Sequence, residues 1–129
     1  MKKSIVLLII VAFFVSLGTV SCKKKDDATK TYSELIVGRW KTSDGGHYEV
    51  YYSNGTGKMW DPADDVQEDE ADTFNWTMDE GAKQMMLEVN SQELGFVVMQ
   101  YCNILTLNES TLKYNNDGWK ATYNMTKVN

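Results

Sequence analysis

The sequence is poor in the residues from which catalytic sites are usually built. His47 is the only histidine among 129 residues, and no serine or cysteine nucleophile motif lies beside it. The sequence also has no Walker loop, no H-E-x-x-H motif and no closely spaced pair of cysteines. His47 falls on the polar side of a predicted strand, which is typical of an exposed side chain. We therefore expect no enzymatic activity, no cofactor and no metal site.

Basic residues are outnumbered by acidic ones. The chain has 13 lysines and arginines against 18 aspartates and glutamates, which gives a net charge of −5. An acidic protein repels nucleic acid phosphates and lacks the basic stripe that binding to them requires. No nucleic acid partner is expected.

Long apolar runs are absent except at the N-terminus. Lys2 and Lys3 precede the segment Ile5–Val15, which contains no polar side chain, and small residues then lead to Cys22. This run is shorter than the roughly 20 residues that a membrane-spanning helix needs. Residues 1–21 are therefore predicted to be a signal peptide, and the remaining 108 residues are enough for one domain.

The end of this segment, Thr19-Val20-Ser21-Cys22, resembles a lipobox, the signal-peptidase motif of bacterial lipoproteins. The resemblance implies that Cys22 carries a fatty-acyl lipid (palmitate among its chains) and that residues 22–32 form a flexible tether to the membrane. The alternative is an ordinary secretory signal with an incidental cysteine. Lys23–Asp27, three lysines and two acids, is similar to the surface-export signal of some outer membrane lipoproteins, so we expect a cell-surface location, with a periplasm-facing one as the alternative.

Cysteine is scarce, since Cys22 and Cys102 are the only two. If Cys22 is lipidated, Cys102 has no partner and no disulfide supports the fold. Cys102 lies in an apolar run and is predicted to be an inert buried thiol. The domain therefore needs a core large enough to be stable without cross-links.

Alternation of apolar and polar residues predicts an all-β domain over residues 33–129. Four segments show the period of two that places every second side chain on one face of a strand. The side chains predicted to face inward are Tyr48, Val50, Tyr52, Phe74, Trp76, Met78, Met85, Leu87, Val89, Trp119, Ala121, Tyr123 and Met125. With short turns between them, the segments predict eight antiparallel strands in an up-and-down β-barrel or a sandwich, after one helical turn at residues 31–37.

The segment Leu35-x-x-Gly38-Arg39-Trp40 is similar to the G-x-W entry motif of lipocalins. Further short motifs follow in the order seen in lipocalin-like bacterial lipoproteins: Tyr48-x-Val50, Asn54–Gly57, Phe74-x-Trp76, Leu87-x-Val89, Leu105-x-Leu107 and Leu112. The resemblance implies an eight-stranded, lipocalin-like barrel. Classical lipocalins place an arginine of the last strand over the entry tryptophan, whereas this chain offers Lys127 there.

Seven aromatic residues are predicted either to line a ligand cavity or to fill the core: Trp40, Tyr48, Tyr52, Phe74, Trp76, Trp119 and Tyr123. An eight-stranded barrel can be filled by its side chains or can hold one small ligand. Tyr51 and Trp60 fall outside this set and are expected on the surface, where aromatic residues favour a partner. Two functions follow: a carrier of a small apolar ligand, or an interaction module or inhibitor of the cell envelope with a filled barrel.

The segment 61–72 holds seven acids in twelve residues. Calcium prefers such oxygens, but the spacing is not that of an EF-hand. We therefore expect a mobile, self-repelling loop between the third and fourth strands.

Overall fold

A computed structural model describes residues 29–129 as a closed β-barrel after one short helix. The helix α1 spans Tyr32–Ile36. The eight strands are β1 (Gly38–Thr42), β2 (Tyr48–Tyr51), β3 (Thr56–Trp60), β4 (Asp72–Asp79), β5 (Gln84–Ser91), β6 (Phe96–Leu107), β7 (Thr111–Asn116) and β8 (Ala121–Val128). The predicted signal peptide, Cys22 and most of the predicted tether lie outside the described residues. No helix of the described part is long and apolar enough to cross a membrane.

Each strand pairs antiparallel with the next, and β8 pairs with β1. The last pairing joins Arg39 to Val128 and Thr42 to Met125. Closure leaves no unpaired sheet edge, so the backbone groups that an open sheet exposes are satisfied within the domain. The predicted eight-stranded up-and-down barrel is confirmed.

Helix α1 covers one end of the barrel, which we call the closed end. Thr31 and Glu34 form a reciprocal capping box at its start, and Glu80 of the β4–β5 turn accepts hydrogen bonds of 2.8 Å from the backbone N–H groups of Tyr32 and Ser33. Such acceptors satisfy the free N–H groups of a helix start. The helix is therefore fixed across the barrel although it has only five residues.

The entry tryptophan lies directly beneath this helix. Trp40 is fully buried and donates its indole N–H to the Ile36 carbonyl at 2.7 Å. The Lys127 ammonium lies 5.0 Å from the Trp40 ring centre and donates to the Leu35 carbonyl at 3.0 Å. Gly38, at φ +136°, makes room for Lys127, because a Cβ there would lie 2.5 Å from its side chain. Lys127 thus covers the tryptophan from the last strand.

Apolar side chains fill the barrel from the closed end to about its middle. Inward-facing residues of β4, β5 and β8 agree with the predicted alternation, since Phe74, Met85, Leu87 and Met125 are buried. Gly57 makes room for the Phe74 ring, because a Cβ at residue 57 would lie 2.2 Å from that ring. This packing supplies the core that an uncrosslinked domain needs.

The predicted orientation of β2 is wrong. Tyr48 and Tyr52 were expected inside, but β2 pairs Glu49 with the buried Trp40, so Glu49 and Tyr51 face inward. Tyr48 stacks on Trp60 on the outer face, at 5.1 Å between ring centres. Both faces of β2 carry large apolar side chains because both are covered, and alternation alone then cannot identify the inner one.

The acidic segment lies between β3 and β4, where the loop was predicted, and covers that outer face. It contains two 3-10 turns, Pro62–Asp64 and Glu68–Glu70. Val66 and Ala71 pack with Val50, Tyr48 and Trp60, which explains why Trp60 is 5% exposed and not a surface aromatic. Arg39 donates two hydrogen bonds to Glu68, at 2.9 and 2.8 Å, and holds the segment to β1.

We expect Trp76→Ala to lower the free energy of unfolding by about 3–5 kcal/mol, because it leaves a cavity in the core. Trp76 is 9% exposed, and its indole N–H donates to the carbonyls of Tyr52 and Thr56. Thr77→Ala on the exposed face of β4 is the control and should change this free energy by no more than about 0.5 kcal/mol. Urea denaturation measures both, and equal losses would contradict the register of β4.

Candidate ligand-binding site at the open end

The end of the barrel opposite α1, which we call the open end, contains a cavity of about 510 Å³. The β1–β2, β3–β4, β5–β6 and β7–β8 connections surround it. Its lining consists of His47, Glu49, Met59, Asp61, Asp64, Asp72, Val89, Ser91, Glu93, Leu94, Val98, Gln100, Tyr114, Asn116, Trp119 and Tyr123. Cavities of roughly 300–1,000 Å³ are typical of small-molecule sites.

Glu49 lies at the inner part of this cavity and is 1% exposed. Its carboxylate accepts hydrogen bonds from Tyr51 Oη at 2.7 Å, from His47 Nε2 at 2.9 Å and from Tyr114 Oη. A buried carboxylate is tolerated only when charge and hydrogen bonds compensate for its lost hydration. The three donors provide that compensation.

His47 joins Glu49 to the rim of the cavity. Its Nδ1 lies 2.6 Å from Asp61 Oδ1, and its side chain is 13% exposed. Burial alone lowers the pKa of His47, but hydrogen bonds to Asp61 and Glu49 and their negative charges outweigh it and raise the pKa to about 10. The imidazole is therefore a cation at neutral pH, with each ring nitrogen donating to one carboxylate.

The two tyrosines that bind Glu49 are locked as donors. Tyr51 is 1% exposed and Tyr114 is 1% exposed. Burial, together with the negative charge of Glu49, raises the pKa of both phenols well above the usual value. Both hydroxyls therefore stay protonated and point at the carboxylate.

A second buried polar pair, Gln100 and Asn116, lies in the same cavity. Asn116 Oδ1 accepts from the backbone N–H groups of Gly118 and Trp119, which orients its amide so that Nδ2 donates to Gln100 Oε1 at 2.7 Å. Gln100 Nε2 then has no hydrogen-bond partner within residues 29–129. Every fully buried side-chain nitrogen and oxygen of the described part has a hydrogen-bond partner. Since Gln100 Nε2 has none, it is not fully buried, and it is accessible from the cavity that Gln100 lines.

The seven predicted aromatic site residues divide into three groups. Trp40, Phe74 and Trp76 belong to the buried core. Tyr123 and Trp119 line the cavity, with Trp119 59% exposed at the rim. Tyr48 and Tyr52 lie outside the barrel, so their assignment to its interior is wrong. Only two of the seven therefore reach the space that could hold a ligand.

The polar residues of the site escaped prediction. His47 was expected to be exposed and Tyr51 to be a surface aromatic, and both are inside because β2 is turned over. Gln100 carries a signal in the sequence, since it is the one strongly polar residue in the run from Phe96 to Cys102. A polar residue at a core position of an apolar strand indicates a buried hydrogen bond or a site.

Cys102 is fully buried at the middle of the barrel, as predicted. Burial, with a smaller contribution from the negative charge of Glu49, raises the pKa of its thiol. The thiol is therefore protonated at neutral pH. Within the described chain, no group of histidine, cysteine and acidic side chains is arranged to hold a metal ion.

Comparison of the chain with protein-family models, with curated proteins and with solved structures finds no match. The site is therefore interpreted from its own geometry.

We expect the free energy of unfolding to fall as pH rises from 7 to 9, and His47→Gln to remove most of this dependence. The pKa of His47 is about 10 in the folded protein against 6.5 for the ordinary residue, so its stabilisation is complete below pH 6.5 and disappears as pH rises through 10. Between these values the folded state holds one extra proton, which gives a slope of at most about 1.4 kcal/mol per pH unit.

Urea denaturation of both proteins across this pH range measures the slope. His47→Gln should also be less stable than the original protein at pH 7, because it leaves Glu49 with a neutral donor. Parallel slopes for the two proteins would show that His47 is not a cation in the folded state.

Proposed function

We propose that the protein is a lipocalin-like outer membrane lipoprotein whose open-end cavity binds a small molecule. The observation that carries the binding proposal is a cavity of about 510 Å³ that reaches the free amide nitrogen of Gln100 inside the barrel. This donor has no protein partner and is accessible from the cavity, so a ligand oxygen that reaches it gains a hydrogen bond. Met59, Val89 and Val98 offer apolar contact beside it.

The lipocalin-like assignment is supported by the contact between Lys127 and Trp40. Lys127 of the last strand covers the entry tryptophan at 5.0 Å, in the place where classical lipocalins have an arginine. The short helix ahead of β1 and the closed eight-stranded barrel are in keeping with this resemblance. A shared fold does not by itself identify a ligand.

The end at which the chain enters the barrel determines how a lipid anchor would orient the domain. Lys30 pairs with Glu109 of the β6–β7 turn, and α1 follows across the closed end. A chain of about nine residues that behaves as a flexible linker has a root-mean-square length of about 15 Å. A lipid on Cys22 would therefore hold the closed end near the membrane and leave the cavity opening away from it.

The second candidate is an interaction module of the cell envelope, and the outer face of β6 favours it. Val97, Met99, Tyr101 and Leu105 are 44–51% exposed and follow one another along this face. Exposed apolar patches of this kind mark protein-interaction surfaces. This face and the cavity are on opposite sides of β6, so the two functions are compatible.

We expect Cys22→Ser to abolish membrane anchoring without unfolding the domain, because Cys22 is the predicted site of lipidation and the described domain makes no use of it. Detergent-phase partitioning of the protein expressed in a bacterium with an outer membrane measures anchoring, and circular dichroism checks the fold. Ser21→Ala, which keeps a small residue before the cysteine, is the control and should remain in the detergent phase. Partitioning of Cys22→Ser with the detergent would contradict the anchor.

We expect a ligand that enters the cavity to raise the melting temperature and to change the fluorescence of Trp119 at its rim. A screen of fatty acids, haem and small aromatic metabolites by these two readouts identifies binders. Val98→Phe should abolish their effect, because Val98 lines the cavity and a larger side chain fills it. The control is Met99→Phe, on the outer face of the same strand, which should leave binding unchanged. Equal binding by both variants would place the ligand elsewhere.

A further inference from the structure

The lining of the cavity is strongly acidic. Five of its side chains are carboxylates, those of Glu49, Asp61, Asp64, Asp72 and Glu93, and His47 is its only basic one. Five carboxylates and one histidine cation give the lining a formal net charge of −4. A recess with low-dielectric walls and charges of one sign concentrates its field on whatever enters it. Anions such as fatty acid carboxylates and phosphates are therefore repelled from this cavity, and cations are attracted.

His47 partly compensates the charge of Glu49 and Asp61, whereas the other carboxylates of the lining have no such partner. His47 forms salt bridges of 2.9 Å with Glu49 and 2.6 Å with Asp61. Asp64, Asp72 and Glu93 form no salt bridge with any of residues 29–129. The uncompensated charges thus lie around the entrance.

Two aromatic rings border the same entrance. The Tyr123 ring is stacked on Tyr114 with 5.0 Å between ring centres and also lies 5.2 Å from the His47 ring. Trp119 is 59% exposed and offers the accessible ring, while its backbone N–H donates to Asn116 Oδ1 at 3.2 Å. The faces of aromatic rings attract ammonium groups, and tryptophan does so most strongly. Ring faces and carboxylates together suit an organic cation, whereas calcium and magnesium prefer oxygen ligands alone.

The free amide of Gln100 adds a second requirement, independent of charge. Gln100 is 6% exposed, and its Nε2 has no partner within the described residues. As a donor it pairs only with an acceptor atom of the ligand. A ligand that pairs with both the rim carboxylates and the Gln100 amide therefore carries a cationic group near the rim and an acceptor oxygen that reaches inward.

We propose, on the basis of the proposed function, that the cavity selects a small protonated amine with an apolar or aromatic body and an acceptor oxygen. The volume of about 510 Å³ accommodates one such molecule. The amine lies among Asp64, Asp72 and Glu93, the body lies against Val89 and Val98, and the oxygen accepts from Gln100.

Three probes with the same phenol ring and different charge test the proposal: tyramine, which is a cation, tyrosol, which is neutral, and 4-hydroxyphenylacetate, which is an anion. Isothermal titration calorimetry at neutral pH and low salt measures their affinities for the folded protein. We expect tyramine to bind at least about tenfold more tightly than tyrosol, and 4-hydroxyphenylacetate to bind most weakly. Added salt should weaken the binding of tyramine and leave the binding of tyrosol unchanged. Phenethylamine, which lacks the oxygen, should bind more weakly than tyramine.

Substitution of carboxylates at the rim tests whether they are the charges that attract the amine. Asp72→Asn and Glu93→Gln together should bring the affinity for tyramine close to that for tyrosol, while the affinity for tyrosol stays the same. Glu88→Gln is the matched control, because Glu88 lies on β5 and is not part of the lining. It should leave all affinities unchanged.

Two outcomes overturn this proposal. One is equal or tighter binding of tyrosol or 4-hydroxyphenylacetate, which would retain the small-molecule site and reject its preference for amines. The other is no binding of tyramine at millimolar concentration. The Val98→Phe and Met99→Phe screen then decides separately whether the cavity binds any ligand, so failure of the amine proposal and failure of the proposed function are distinguishable.

Discussion

Burial of the Glu49 carboxylate is the constraint on which the open half of the barrel depends. It is the only charged side chain of the described residues that is almost completely buried. Left alone, such a charge would cost several kcal/mol, so the residues around it must be donors. Tyr51, Tyr114 and His47 meet that need from three directions. Their polar groups interrupt the apolar packing that fills the closed half, and the cavity begins where that packing stops.

The same constraint extends to the rim through His47. Because His47 binds Glu49 with one ring nitrogen and Asp61 with the other, it ties the start of the β3–β4 segment to the interior. The rest of that segment is held from outside by the pair of Arg39 with Glu68 and by Val66 against Trp60. An acidic segment whose charges repel one another is thus ordered by two kinds of contact. Two of its remaining carboxylates, those of Asp64 and Asp72, lie at the entrance to the cavity.

The sequence predicts the fold well because strand alternation and turn residues are local signals. Strands β4 and β5 each have one covered face, so Phe74, Trp76 and Leu87 are assigned correctly by alternation. The prediction for β2 is wrong because its outer face is covered by a segment that is distant in sequence. No residue close to Tyr48 or Tyr52 in the sequence indicates this contact. The wrong orientation of β2 also explains why the site residues were not predicted. With the strand in its observed orientation, His47 and Glu49 lie in the interior instead of in solvent.

The two ends of the barrel differ in composition: the open end is polar, and the closed end is filled with apolar side chains. A cavity surrounded by carboxylates buries little apolar surface, so the domain depends on the half around Trp40, Phe74 and Leu112 for its stability. No disulfide forms within residues 29–129, because Cys102 is their only cysteine. The chain also enters at the closed end, where α1, Trp40 and Lys127 form a rigid base. Because α1 covers this end, the opposite, polar end of the barrel is the one that opens to solvent.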